Sequence, residues 1–377
     1  MSGMSGAPTK WLFSRRVDLG VFVGSAVLSF AALALGGALG ILHEDTPSWV
    51  WVPAIMLCDV AHVWSTIFRT YLDPEERKNR RVLFTVVPLV GLAASIGLFA
   101  WRGAADFWRV LAYLAIFHFV RQQYGWVALY RAKNGEKRDA GFWVDTFAIY
   151  AATLYPLFYW HTHVPRRFHW FVPGDIVAFP NVLRTVGIPV ATTLWALALF
   201  VYAVRAFRMH LRGQGNTGKD VVVATTALTW FVGIVGFDSD YAFTVTNVVT
   251  HGVPYFALVF FHARARARAR SKEANEAKAS PSLGARLVAT LPRYLAFLWL
   301  IAFVEELFWD RAVWHDRGWL FGEPWDLVSF QLVIVPLLAL PQLTHYVLDG
   351  FIWRRKTNPS VAALASRHAL DVEPMTA

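Results

Sequence analysis

Residues 49–72 read WVWVPAIMLCDVAHVWSTIFRTYL, and the fold follows from what this stretch can and cannot do. It is apolar over the ~20 residues that a helix needs to cross the ~30 Å hydrocarbon layer of a membrane. Backbone groups find no water in lipid, so such a run must be helical. Yet it carries Asp59, His62, Thr66 and Arg69, at steps of three, four and three residues, which puts them on one face of the helix. A polar stripe of this kind must face the bundle interior or water, because lipid does not accept it. The stretch therefore predicts a polytopic helix bundle with polar chemistry inside it.

The rest of the chain repeats the pattern. Its 377 residues are 56% hydrophobic and 16% aromatic, with a mean hydropathy of +0.40, which places it in the membrane class. Apolar stretches at 17–42, 49–72, 82–101, 107–130, 141–161, 185–207, 220–237, 241–262, 290–308 and 326–353 predict an all-α bundle of about ten transmembrane helices. Arg and Lys collect in alternate connections, at 73–81, 131–139, 205–219, 263–293 and Arg354–Lys356. Positive loops stay in the cytoplasm, so both termini are expected inside and the span count even.

The net charge of +10 then describes a cytoplasmic face against anionic membrane lipid, and no nucleic-acid partner is expected. The basic start, Met1 to Arg16, leads into a run too long for a cleaved signal segment, so it reads as a retained first span. The expected organisation is a single polytopic membrane domain over 1–356 and a disordered cytoplasmic tail over 357–377. The bacterial inner membrane is the expected location. The Ala/Arg run from His262 to Arg270 favours helix and is expected to extend the eighth span into the cytoplasm. Cys58 is the only cysteine, which excludes a disulfide or a thiolate metal cage within one chain.

Three more spans carry polar stripes. The fourth has His118, Arg121 and Gln122; the eighth has Thr244, Asn247, His251 and Tyr255; the tenth has Gln342, His345 and Asp349. Each set lies at helical spacing. The first, third and seventh spans offer little beyond Ser and Thr hydroxyls, which satisfy themselves on their own helix carbonyls. His62, His118 and His251 fall at similar depth at ~1.5 Å per residue. His345 counts deeper unless its helix starts late or bends at Pro336 and Pro341.

Imidazole is the commonest nitrogen ligand for transition metals, and its second nitrogen usually bonds a carboxylate or carbonyl. His62, His118, His251 and His345 are therefore the expected metal ligands, with Asp59 and Asp349 as further ligands or as groups that orient the rings. Several histidines with one or two carboxylates suit non-haem iron, and another transition metal is the alternative. Arg121, Gln122 and Asn247 are the expected catalytic side chains, binding a polar group of the substrate or supporting the ligands. Glu305 and Glu306, near the outer end of the ninth span, read as interfacial, or else as facing a cavity, and His262 reads as interfacial. The connections 161–184, with His161, His163 and His169, and 309–325, rich in Trp, read as headgroup anchors, or else as an outer metal site or lid.

These clusters resemble in style the membrane-embedded, histidine-ligated iron oxygenases and desaturases, which draw histidines from several helices to oxidise lipids, alkanes or carotenoids. The repeated H-x-x-H-H boxes of the desaturase and hydroxylase superfamily are absent. Single histidines spread through apolar helices are closer to the bacterial carotene-cleaving membrane dioxygenases. The resemblance covers the four clusters and implies iron, oxidation and a lipophilic small-molecule substrate such as a lipid or isoprenoid. The expected function is thus a metal-dependent membrane oxidoreductase, with a soluble electron donor docking on the basic face if electrons are required. A proton-coupled transporter using the intramembrane His and Asp residues is the alternative, and a haem-binding membrane protein is a third.

Overall fold

A computed structural model describes residues 11–277 and 280–364, and among them every regular element is a helix. The long helices are α1 (Arg15–Ala38), α2 (Ser48–Arg69), α3 (Arg81–Arg102), α4 (Ala104–Lys133) and α5 (Ala140–Thr162). They continue with α6 (Leu183–Leu211), α7 (Thr217–Gly236), α8 (Asp240–Ser271), α9 (Leu291–Trp309) and α10 (Val328–Ile352). Seven of these, all but α4, α5 and α9, are long and apolar enough to cross a membrane by length and composition. The fold is compatible with a multi-pass membrane protein.

Local sequence sets the boundaries. Ser14 caps α1 by accepting the Val17 N–H, Asp139 caps α5, Asn216 caps α7 and Ser239 opens α8, each supplying an acceptor to a backbone donor that a helix start leaves unpaired. Gly103, at φ 82°, separates α3 from α4, a conformation that suits a residue without a Cβ.

The layers follow from burial. Of the apolar window of α8, 78% is buried, against 6% for α3 and for α6, so α8 is central and the other two are peripheral. One core joins Phe22, Trp126, Ile149, Val222 and Leu258; another joins Phe68, Val259, Tyr294 and Leu298. Both rest on α8. Outward-facing Val82, Leu89, Leu194 and Phe200 are left 60% exposed or more, an apolar belt that water would penalise and hydrocarbon accepts.

Several helices are irregular where they carry polar groups. A π-helical stretch, Val52–Val60, precedes His62 in α2, and another, Thr244–Val248, precedes His251 in α8; such wide turns recur at functional sites. In α10 the helix breaks at Ala339, between Gln331–Leu338 and Leu340–Ile352. The interruption falls between Pro336 and Pro341, the stretch where the sequence allowed a bend.

The helix after His251 continues unbroken through the Ala/Arg run to Ala277. Two expectations are corrected at this basic end of the bundle. Of the segment 357–377 expected to be disordered, Pro359–Leu364 forms a helix whose Val361 and Leu364 are buried in the core; residues 365–377 lie outside the described ones. His262 is not interfacial: it is buried, near the Trp353 ring and 3.1 Å from Ser360 Oγ of the same terminal segment.

Candidate metal centre

The bundle brings the four expected histidines together. His62 on α2, His118 on α4, His251 on α8 and His345 on α10 are each at most 4% exposed. His62 Nε2 and His251 Nε2 lie 3.2 Å apart, and His118 Nε2 and His345 Nε2 lie 3.1 Å apart. Ring centroids across the two pairs are 5.1 Å (His62 and His345) and 5.2 Å (His118 and His251) apart. Candidate ligand atoms of His62, His118 and His251 lie within 4.8 Å of one another, and so do those of His118, His345 and Asp349, so the two groups share His118. Two imidazole nitrogens at ~2.0–2.1 Å from one tetrahedral ion are separated by roughly 3.3–3.4 Å, so the observed spacings suit a compact metal site. They leave no room for a porphyrin plane between the members of either pair.

Polar groups stand behind three of the four rings, whereas His251 Nδ1 has no hydrogen-bond partner among the described residues. Asp59 Oδ1 lies 3.4 Å from His62 Nδ1, and Thr66 Oγ1 lies 2.7 Å from His345 Nδ1. Asp349 sits between two rings, 3.7 Å from His345 Nδ1 and 3.9 Å from His118 Nδ1. Its Oδ1 accepts from Tyr255 Oη at 2.6 Å, and that hydroxyl also meets Thr66 Oγ1 at 3.0 Å and accepts from Trp353 Nε1 at 3.3 Å. Both carboxylates therefore face Nδ1 edges, and Asp349 also lies close enough to His118 and His345 to share a metal with them. Facing an Nδ1 edge is the position of groups that fix ring orientation and tautomer behind metal-ligating histidines.

Aromatic packing closes the site toward the other, Trp-rich end. Phe119 stacks on His251 with planes 7° apart, and Trp170 packs against Phe119 with ring centroids 4.9 Å apart. The connection 161–184 thus folds over the centre as a cover. Its histidines do not assemble a second site: His161 bonds Tyr113 Oη and Leu157 O, and His163 stacks on Tyr159. Tyr255 and Thr66 lay on the polar stripes and could have been picked out by their spacing to His251 and His62. Phe119 and Trp170 gave no sequence signal, since apolar rings are common in every span.

The three expected catalytic side chains separate. Gln122 Nε2 donates to His251 O at 2.9 Å and so touches the centre through the backbone. Asn247 donates to its neighbour Thr246 at 3.0 Å and packs against Gly233, with its Oδ1 buried and unpartnered among the described residues. Arg121 points away, to Tyr150 Oη and over the Tyr124 ring.

Two cavities approach the centre. One, of about 420 Å³, opens at the Trp-rich end and is lined by Asp59, Glu306, Gln342 and Arg317. The other, of about 710 Å³, is mainly apolar and reaches His118 and Asp349 from the basic side. Glu305 and Glu306, expected to be interfacial, are at most 7% exposed. Glu305 accepts from the Trp64 indole and, at 3.3 Å, from that of Trp309; Glu306 lines the first cavity. Folding of 309–325 over this end, with Trp314 stacked on Trp309, buries what the linear sequence placed at an interface. No protein-family model, curated protein or solved structure matches this chain, so what the centre does is argued from its residues.

Proposed function

We propose that the protein is a ten-span integral membrane metalloenzyme of the bacterial inner membrane, with both termini in the cytoplasm, that oxidises a lipophilic small molecule. One observation carries the reading: four buried imidazoles from four separate helices turn their Nε2 edges to one another at 3.1–3.2 Å within each pair. Helix fastening alone needs one polar pair, worth about 0.6 kcal/mol on average, and gives no reason for four rings to meet. In this reading His62, His118, His251 and His345 hold a transition metal, with non-haem iron favoured by the nitrogen-rich, thiolate-free donor set. Iron so bound supplies the redox chemistry that no side chain in the bundle provides.

The chain's own residues do the rest. Asp59, Thr66 and Asp349 orient His62, His345 and His118, the stacked Phe119 ring orients His251, and Tyr255 ties Asp349 to Thr66. Phe119 and Trp170 cover His251 on the Trp-rich side, where they form part of the wall of the 420 Å³ cavity. An acidic soluble electron donor would find its partner surface on the basic cytoplasmic face.

The test is metal content per chain, by mass spectrometry of protein purified in detergent without chelator, for wild type and His118→Ala. One or two irons per chain, lost in a variant of unchanged helical content, is the expected result. Wild type without stoichiometric metal would sink the reading.

The cavities on either side of the centre favour one second reading, proton-coupled transport through Asp59, the histidines and Asp349. Flux driven by a pH gradient in vesicles containing metal-free protein would select it.

A further inference from the structure

The 710 Å³ cavity falls within the ~300–1,000 Å³ range of small-molecule sites, and its lining is divided by chemistry. At its inner end are His118 and Asp349. Along its wall, Phe117 and Leu154 are 64% and 51% exposed on the outer surface of the bundle, so the cavity opens sideways onto the apolar belt. Toward the basic end it is lined by Arg121, Arg354 and Arg355. These arginines are exposed, and among the described residues no carboxylate forms an ion pair with any of them. Arg121 lies over the Tyr124 ring and Arg354 over Phe351. This contrasts with Arg69, Arg131, Arg205 and Arg266, which are all paired with carboxylates. Gly125 and Gly350 also line the cavity, and a Cβ added at either would meet no atom within 4 Å. The space in front of both glycines is open.

From this arrangement we infer that the substrate is an amphiphile with an anionic head and a hydrocarbon chain, entering sideways from the lipid. The head, a carboxylate or a phosphate, is held by Arg121, Arg354 and Arg355, whose guanidinium forks match either group. Arg121 lies one helical turn from His118, ~4.5 Å along the axis. The head anchors on the cavity wall where Arg121 turns from the imidazoles toward Tyr150, and the chain packs on Phe117 and Leu154. The inference rests on the oxidative reading above, since that reading makes the bound amphiphile a substrate; the binding itself does not depend on it.

The experiment reads binding without turnover. Purified full-length protein in phosphatidylcholine nanodiscs is titrated with radiolabelled palmitate, palmitoyl lysophosphatidate and hexadecanol, and metal content is read on the same samples. Saturable binding of at least one anionic probe, tenfold or more tighter than hexadecanol, is expected. Preference for palmitate identifies a carboxylate head, and preference for the lysophosphatidate a phosphate head. Arg121→Gln and Arg355→Gln should each weaken binding of the preferred probe about tenfold. Gly350→Leu should weaken it by narrowing the cavity between His118 and the arginines, and Gly125→Leu gives an independent obstruction from the facing helix. Both replacements favour helix over glycine, so loss of binding would not stem from loss of the helix. Equal binding of hexadecanol and the anionic probes, or full binding by both leucine variants, would overturn the proposal. Anionic binding by protein that carries no metal would leave the proposal's site intact and remove the oxidative reading alone.

Discussion

At the scale of single residues, the site is a set of imidazoles whose orientation depends on what stands behind them. Tyr255 is the most connected of these supports, because one hydroxyl joins Thr66, Asp349 and Trp353. Tyr255→Phe removes that hydroxyl and keeps the ring. Buried groups left without a partner cost about 1–3 kcal/mol, so the variant should unfold at a lower temperature in detergent. Groups behind metal-bound histidines are worth about 10–100-fold in metal affinity, and competition against a chelator should find a loss of that size. Unchanged affinity in a destabilised variant would reduce the hydroxyl to a packing role. Asp59→Asn tests the other edge of the centre. It leaves the fold in place and loses the carboxylate 3.4 Å from His62 Nδ1, and a weaker hold on metal by the same assay is expected. The four histidines and two aspartates were legible in the sequence because each lay at helical spacing within an otherwise apolar span. The rings that cover them, Phe119 and Trp170, were not, since nothing distinguishes them locally from their neighbours.

At the scale of elements, the centre exists because α2 and α8 approach closely enough for His62 and His251 to meet. Gly252, next to His251, permits that approach. A Cβ there would lie 2.7 Å from Cys58 Sγ and 3.2 Å from Cys58 O. Gly252→Ala must therefore push α8 away from the π-helical stretch of α2, an overpacking that costs about 1–3 kcal/mol. The expected outcome is a lower unfolding temperature together with reduced metal content. Adding Cys58→Ala removes the sulfur and should restore part of both. Full additivity of the two substitutions would mean that the contact is not what limits the approach.

Helix identity and length were legible from apolar runs, and the break in α10 from its prolines. The π-helical turns before His62 and His251 were not legible, because they depend on how neighbouring helices pack. The burial of Glu305 and Glu306 escaped for a similar reason: it is imposed by the connection 309–325 folding back over the end of α9. Val361 and Leu364 escaped because their apolar pocket is built from helices distant in sequence.

At the scale of the whole molecule, charge both ties the basic end together and orients the chain. Asp73, just beyond α2, is held by Arg266 at 2.6 Å and Arg270 at 3.1 Å, both on the extension of α8. Burial works against this carboxylate, but the hydrogen bond and charge of Arg266, with Arg270, hold it down from 3.8 to about 2. A depressed carboxylate contributes stability that is full above its unfolded value and lost as pH falls through its folded value. Asp73→Asn should therefore unfold below wild type at neutral pH, with the gap closing as pH falls from 3.8 to about 2; a gap independent of pH would mean that the ionised carboxylate is not the stabilising group. The same basic end should face the cytoplasm if positive loops orient the chain. Since Cys58 is the only cysteine, Cys58→Ala gives a background in which single cysteines report sidedness. Lys78→Cys at the basic end should react with a membrane-impermeant maleimide only after lysis, and Glu323→Cys at the Trp-rich end should react in intact cells. Both reacting from the same side would mean an even number of crossings between them, against the seven expected for α3 to α9. The reverse pattern would place the arginine-lined mouth of the 710 Å³ cavity outside, away from any cytoplasmic electron donor.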